Sequence, residues 1–190
     1  MKKICVIMAG LCVFLDAVLA QDAPEIISIR KMYADTQAQV SGGQLYTEEI
    51  YAKLLVIPGI GSPIQRVIFY HAMKEGPAGD HDFTLCFTTY YYQHAGRLYY
   101  EELLFNAGGD LVFYFGKQGS GDINQPGGAE WQSEERYYFW KGKLVRSVTD
   151  KTTSNNPGGS ERAKSVLIQK QAKRMRALGD KPVVPVPVSY

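Results

Sequence analysis

Asp82-Phe83-Thr84-Leu85-Cys86-Phe87-Thr88-Thr89-Tyr90-Tyr91-Tyr92 decides the fold of this chain. Side chains alternate along it on a period of two, with Phe83, Leu85, Phe87 and Tyr91 on one side and Thr84, Cys86, Thr88, Tyr90 and Tyr92 on the other. That alternation, in tyrosine, phenylalanine and threonine, is the pattern of a half-buried strand. Outward in both directions the period persists. Val67, Phe69, His71 and Met73 share a face over 65–74, and further strands are predicted over 50–57, 97–105, 111–117, 133–140 and 143–149. Short glycine-bearing connections join them, so the strands run antiparallel as a meander, because parallel neighbours need long crossovers.

The turns repeat a pattern. Tyr92-Gln93-His94-Ala95-Gly96-Arg97-Leu98, Phe105-Asn106-Ala107-Gly108-Gly109-Asp110-Leu111 and Phe139-Trp140-Lys141-Gly142-Lys143-Leu144 each pass from an aromatic strand end through glycine to a leucine that opens the return strand. These are three hairpins. A helix is predicted over 24–40, with Pro24 in its first turn and Ser41-Gly42-Gly43 at its end. A second is predicted over 161–178, capped by Ser160, packing a stripe of Leu167, Ile168, Ala172, Met175 and Leu178 beneath a solvated basic face. Residues 116–130 read as a long polar loop, Thr152–Gly159 as a linker, and the proline-bearing 180–190 as an extended tail.

The expected fold is α+β: an antiparallel meander of about six or seven strands in a single domain over 21–179, with both terminal helices covering one face. Two alternatives fit the same pattern. One is a curved sheet of the cystatin or nuclear-transport-factor kind wrapped around a helix, and the other is a small closed barrel.

Residues 1–20 supply an address. Lys2 and Lys3 precede an apolar run from Ile4 to Leu15, and Val18-Leu19-Ala20 offers the small residues that a signal peptidase reads. The run is too short to span a membrane, which takes about 20 apolar residues. The bulky Leu11 beside Cys12 argues against a lipid anchor. The expectation is a chain exported to the periplasm or the exterior and cleaved after Ala20. Removing Lys2, Lys3 and Asp16 lowers the net charge from +2 to +1, and so small a net charge gives no electrostatic argument for nucleic acid or an anionic membrane as partner. Cys86 then has no partner for an intramolecular disulfide, and a monomer with a buried thiol is expected.

The helix, the tyrosine-rich meander with its hairpin Arg136-Tyr137-Tyr138-Phe139-Trp140-Lys141-Gly142-Lys143-Leu144, and the closing helix resemble uncharacterised secreted proteins of gut-type Bacteroidetes. The resemblance covers roughly 90–150 in pattern and implies no catalytic residue, metal or cofactor.

Catalytic motifs are scarce. No Gly-x-Ser-x-Gly, His-Glu-x-x-His or Cys-x-x-Cys occurs, and His71, His81 and His94 do not lie at metal-ligand spacing. Two enzyme arrangements remain open: Cys86 beside a histidine, and cross-strand carboxylates such as Glu101 with Glu134. The preferred reading is a binding module without chemistry. If Phe83, Leu85 and Phe87 face the helices, Tyr90, Tyr92, Tyr114, Tyr138 and Trp140 form an aromatic platform on the opposite face, with Arg136, Arg97 and Arg146 nearby. Such residues are enriched where proteins bind partners. The partner would be a protein, peptide or glycan. The alternatives are a small exported hydrolase, and an inhibitor of an exported hydrolase that inserts the 116–130 loop.

Overall fold

A computed structural model describes residues 22–53, 64–76, 81–121, 128–150 and 152–180. The leader expected over 1–20, the Gly/Pro run 58–63 and the tail beyond Asp180 lie outside them. The chain runs α1 (Pro24–Ser41), β1 (Tyr46–Lys53), β2 (Ile64–Glu75), β3 (His81–His94), β4 (Arg97–Phe105), β5 (Leu111–Gly121), β6 (Ala129–Trp140), β7 (Lys143–Thr149), β8 (Thr152–Ser154) and α2 (Gly159–Gly179). The strands form one open antiparallel sheet in sequence order. It is an α+β meander, as the periodicity requires, and not a closed barrel. The eighth strand is the short β8, in a segment read from sequence as linker.

Local chemistry explains the turns. Ala95 and Gly96 have φ of 49° and 73°, and Lys141 and Gly142 have 50° and 73°. Positive φ at both central residues matches the right-handed twist of the flanking strands, which is why glycine recurs there. At the end of α1 the amide of Gln44 donates to the Gln39 carbonyl at 2.9 Å, with Gly43 at φ +62°. Glycine adopts that left-handed cap without steric cost.

The expectation that both helices cover one face is overturned. Ile26 and Ile29 of α1 pack with Phe87, Leu104, Phe113 and Tyr138. Ile168, Ala172 and Met175 of α2 pack on the other side with Phe69, Leu85, Leu103 and Phe139. The reason lies in the central strands. Leu103-Leu104-Phe105 and Leu111-Val112-Phe113-Tyr114-Phe115 are continuously buried, and neighbours on a strand point to opposite faces. A strand apolar on both faces needs cover on both.

A bulge at Tyr70/His71 breaks the alternation expected along 82–92. Tyr70 pairs with Phe87 and His71 with Leu85, leaving Cys86 as the extra residue. Leu85 therefore faces α2 while Phe87 faces α1. A single extra residue shifts every later side chain on the strand to the other face.

Two further expectations are corrected. The 116–130 segment is largely strand: β5 continues to Gly121 and β6 begins at Ala129, while 122–127 lie outside the described residues. Glycine favours this pairing, since a side chain at Gly119 would collide with the Glu130 carbonyl. In α2 the cap position is Gly158, whose amide donates to the Glu161 carboxylate, and Ser160 is already helical. The helix is also rotated from its expected stripe. Ser165, Ala172 and Gly179 face the sheet with Ile168 and Met175, while Leu167 and Leu178 stand 66% and 60% exposed. The aromatic sheet face fills the space beneath α2, so the helix presents small residues. A Cβ at Gly179 would lie 2.7 Å from Phe69 Cδ1.

Polar contacts then fix α2 in place. His71 Nε2 lies 2.7 Å from the Gly179 carbonyl, Arg176 Nη1 donates to the Gly109 carbonyl at 2.7 Å, and Gln169 Nε2 donates to the Gly142 carbonyl at 3.0 Å. Two of the three hairpin turns are thereby tied to one helix.

Candidate functional site

The residues expected on one aromatic platform are divided between the two faces. Tyr90, Tyr92 and Tyr114 lie on the α2 face, whereas Tyr138 packs under α1. Tyr114 and Tyr138 are each only 4% exposed and belong to the core. Arg136 lies 5.3 Å from the Phe115 ring and donates to Glu134 at 2.7 Å, on the α1 side. Arg146 is buried and pairs with Asp22 at 2.5 Å. Trp140 is exposed beside the β6–β7 turn, and Arg97 beside the β3–β4 turn. The β5–β6 register causes the division, because it sets Tyr114 opposite Tyr137 and puts Tyr138 and Arg136 in register with Phe113 and Phe115 of the α1 face.

A different constellation is assembled instead. Across the centre of the sheet, Glu101 of β4 pairs in register with Gly116 of β5, and Gly116 with Glu135 of β6. The three form one row on the α2 face, with the two carboxyl-bearing strands about 10 Å apart. The expected partner Glu134 is turned to the α1 face, where it takes Arg136. Adjacent residues on a strand diverge, so Glu135 takes its place.

Glycine in the middle of the row leaves a groove, and the Tyr114 ring lies across it. A Cβ at Gly116 would sit 2.5 Å from the Tyr114 hydroxyl. That hydroxyl donates to Glu135 Oε1 at 3.4 Å. Lys164 of α2 donates to Glu135 Oε2 at 2.6 Å. Glu101 accepts from the Tyr92 hydroxyl at 3.1 Å and from Gln171 of α2. Burial raises the Glu101 carboxyl above its ordinary range, and the nearby Glu135 adds to this, against the lowering by Gln171, Tyr92 and Tyr114. Burial and the flanking carboxylates raise the phenols of Tyr92 and Tyr114 strongly, so both remain protonated donors.

Around this row opens a cleft of about 330 Å³, walled by Tyr92, Tyr99, Gln118, Ser133 and Thr149, by the acidic residues Glu101, Glu134, Glu135 and Asp150, and by Lys117 and Lys164. At its rim the tyrosines form a continuous stack. Tyr90 and Tyr92 have ring centroids 4.7 Å apart at 27°, and Tyr92 and Tyr99 4.6 Å apart at 6°. Tyr99 was not singled out from sequence. The cross-strand register Tyr92↔Tyr99 places it there, and its signal was the mirrored aromatics on either side of Ala95-Gly96.

Comparison with known proteins returns no match: no family model, no curated protein and no solved structure. The site stands on its geometry.

That geometry does not assemble the nucleophile pair. Cys86 packs with the α1 cluster and donates to the Tyr70 carbonyl at 3.2 Å, while His71 is bonded to the end of α2 on the other face. Burial pushes the Cys86 thiol up, the opposite of what an activated thiolate needs. Among the described residues no group of three or more potential metal ligands occurs, and no helix is long and apolar enough to cross a membrane.

Proposed function

We propose that this protein is an exported, non-enzymatic binding module that takes a hydroxyl-rich ligand, a glycan, in the tyrosine-lined cleft of the α2 face. The observation that carries the reading is the Tyr90–Tyr92–Tyr99 stack at the mouth of a cleft whose polar walls are already held in place. Half-buried aromatic rings offer apolar area with a polar end, and sugar rings stack their C–H faces on such surfaces. Carboxylate, amide and hydroxyl groups beside them supply acceptors and donors for sugar hydroxyls. Because Gln171, Lys164 and the tyrosines already orient the carboxylates, little ordering remains to be done on binding. Export is supported by the leader pattern of residues 1–20, and N-terminal sequencing of secreted protein should begin at Gln21.

Titration calorimetry against a panel of neutral oligosaccharides tests the reading. Tyr92→Ala and Tyr99→Ala should each weaken binding by about 10- to 100-fold if these rings are the anchors. Absence of binding across the panel, or binding indifferent to both substitutions, rejects it.

A second reading, a hydrolase acting through cross-strand carboxylates, draws on Glu101 and Glu135 facing one cleft. The Tyr114 hydroxyl occupies the space between them where a water and a scissile bond would have to fit. Binding is therefore the better account. Oligosaccharide turnover abolished by Glu101→Gln would reverse that order.

A further inference from the structure

We propose that the outer face of α2 rests on the surface of an anionic lipid bilayer. Between Arg162 and Gly179 this helix has no acidic residue. Its cations near the sheet are engaged: Lys164 with Glu135, and Arg176 with Asp180 and the Gly109 carbonyl. Lys170, Lys173 and Arg174 are exposed, and their side chains make no ion pair or hydrogen bond among the described residues. They occupy a little over one turn on the side away from the sheet. Val166 and Leu167 stand one turn before them and Leu178 one turn after, at 63%, 66% and 60% exposure. Packing on the sheet accounts for Ile168, Ala172 and Met175 and leaves these three aliphatic side chains unused.

The mixture identifies the occupant. A soluble polyanion would be served by the cations alone and would gain nothing from exposed valine and leucine. A bilayer interface takes both, with aliphatic groups entering the headgroup boundary while lysine and arginine reach anionic phosphates. The helix lies flat across β3, β5 and β7, so a face about 30 Å long is presented side-on, as a planar surface requires. A groove beside it is lined by Tyr90, Tyr92, Leu167, Lys170 and Arg174, and tyrosine is enriched at membrane–water boundaries. The lipid contact rests on the outer side chains of α2, and Tyr90 and Tyr92 are shared with the proposed glycan site.

Flotation of the full chain with vesicles of equal parts phosphatidylglycerol and phosphatidylcholine, against phosphatidylcholine alone, tests it. The protein should prefer the anionic vesicles and be released by salt. Combined Lys170→Gln, Lys173→Gln and Arg174→Gln should weaken that binding by about 100-fold, at about fivefold per charge. Val166→Ser with Leu167→Ser should weaken it by about 10-fold, with the circular dichroism spectrum unchanged because both residues are exposed. The apolar residues 4–15 are common to every variant, so the differences between variants isolate α2. No preference for anionic vesicles, or a preference untouched by the three cation substitutions, overturns the proposal. A preference that the aliphatic pair leaves unchanged also overturns it, and assigns the face to a soluble polyanion.

Discussion

Two rows of side chains cross the middle of the sheet one residue apart, and they have opposite fates. On the α1 face, Glu102, Phe115 and Arg136 stand in register, and on the α2 face Glu101, Gly116 and Glu135 do. Phe115 fills the first row, with Arg136 laid over its ring. Glu102 is closed in by the hydroxyls of Tyr33 and Tyr100 at 2.5 Å each and by Gln37 at 3.4 Å. In the second row glycine supplies no side chain, and the Tyr114 ring lies over it. Both acidic residues of β4 act as buried hubs that tie a helix to the sheet, but only the α2 side retains a cleft. Both faces carry a packed core, and the central residue of the row, phenylalanine or glycine, separates the face that is closed there from the face that bears the cleft.

The comparison breaks most readily at its packed side. Tyr138→Ala should cost about 3–5 kcal/mol, because the ring is buried between Phe113 and α1, whereas Tyr90→Ala at the half-buried rim should cost about half as much. Urea unfolding of the two variants measures the gap, and equal losses would contradict the division of faces. Gly116→Ala converts the open row toward the filled one. The added methyl must displace the Tyr114 ring, so a loss of about 1–3 kcal/mol is expected together with loss of ligand binding. Retained affinity in a folded variant would show that the groove is not the site.

Hydroxyl deletions sharpen the contrast between the two carboxylates. Tyr33→Phe withdraws a 2.5 Å donor from Glu102 and should cost about 1–2 kcal/mol. Tyr92→Phe withdraws a 3.1 Å donor from Glu101 on the more open face and should cost about 1 kcal/mol or less. A reversed order in thermal unfolding would place the tighter hub on the α2 side.

The smallest effect is a pH dependence. The folded protein holds the Glu101 proton more tightly than the unfolded chain does, whose glutamates titrate near 4.5. That contribution to stability is fully present below 4.5 and is lost as pH rises through the raised folded value. Wild type should therefore be most favoured over Glu101→Gln in acid, and its advantage should shrink toward neutrality. Unfolding curves over that range read the difference directly, and an advantage that grows with pH would show that the carboxyl is lowered instead. Within the fold, Tyr92, Tyr100, Tyr114 and Tyr33 are shifted upward as phenols, so on alkaline titration their absorbance change should accompany unfolding.

Much of what depends on neighbours along the chain was legible before any tertiary contact, but the α2 cap at Gly158, the reach of β5 and β6 into 116–130, and β8 were not. Period-two alternation marked the strands from Gln65 to Thr149, and the turns at Ala95-Gly96 and Lys141-Gly142 followed from the need for positive φ. Pro24 and Gly43 framed α1. Tyr90, Tyr92 and Tyr114 were singled out for their aromatic character; Tyr92 and Tyr114 line the cleft, and Tyr90 stacks on Tyr92 and lines the groove beside α2. Their grouping with Tyr138 and Arg136 failed at the β5–β6 register, and the shared face expected for Leu85 and Phe87 failed at one extra residue, Cys86, opposite the bulge at Tyr70/His71. Alternation specifies which residues share a face only while the register is unbroken, and a bulge answers to the packing of the whole sheet. The rotation of α2 was likewise decided by packing, since the bulk beneath it selected Ser165, Ala172 and Gly179 over two leucines. The central row came last of all. Glu101, Gly116 and Glu135 are far apart in the chain and meet only because three strands pair in one register, which short-range periodicity does not encode.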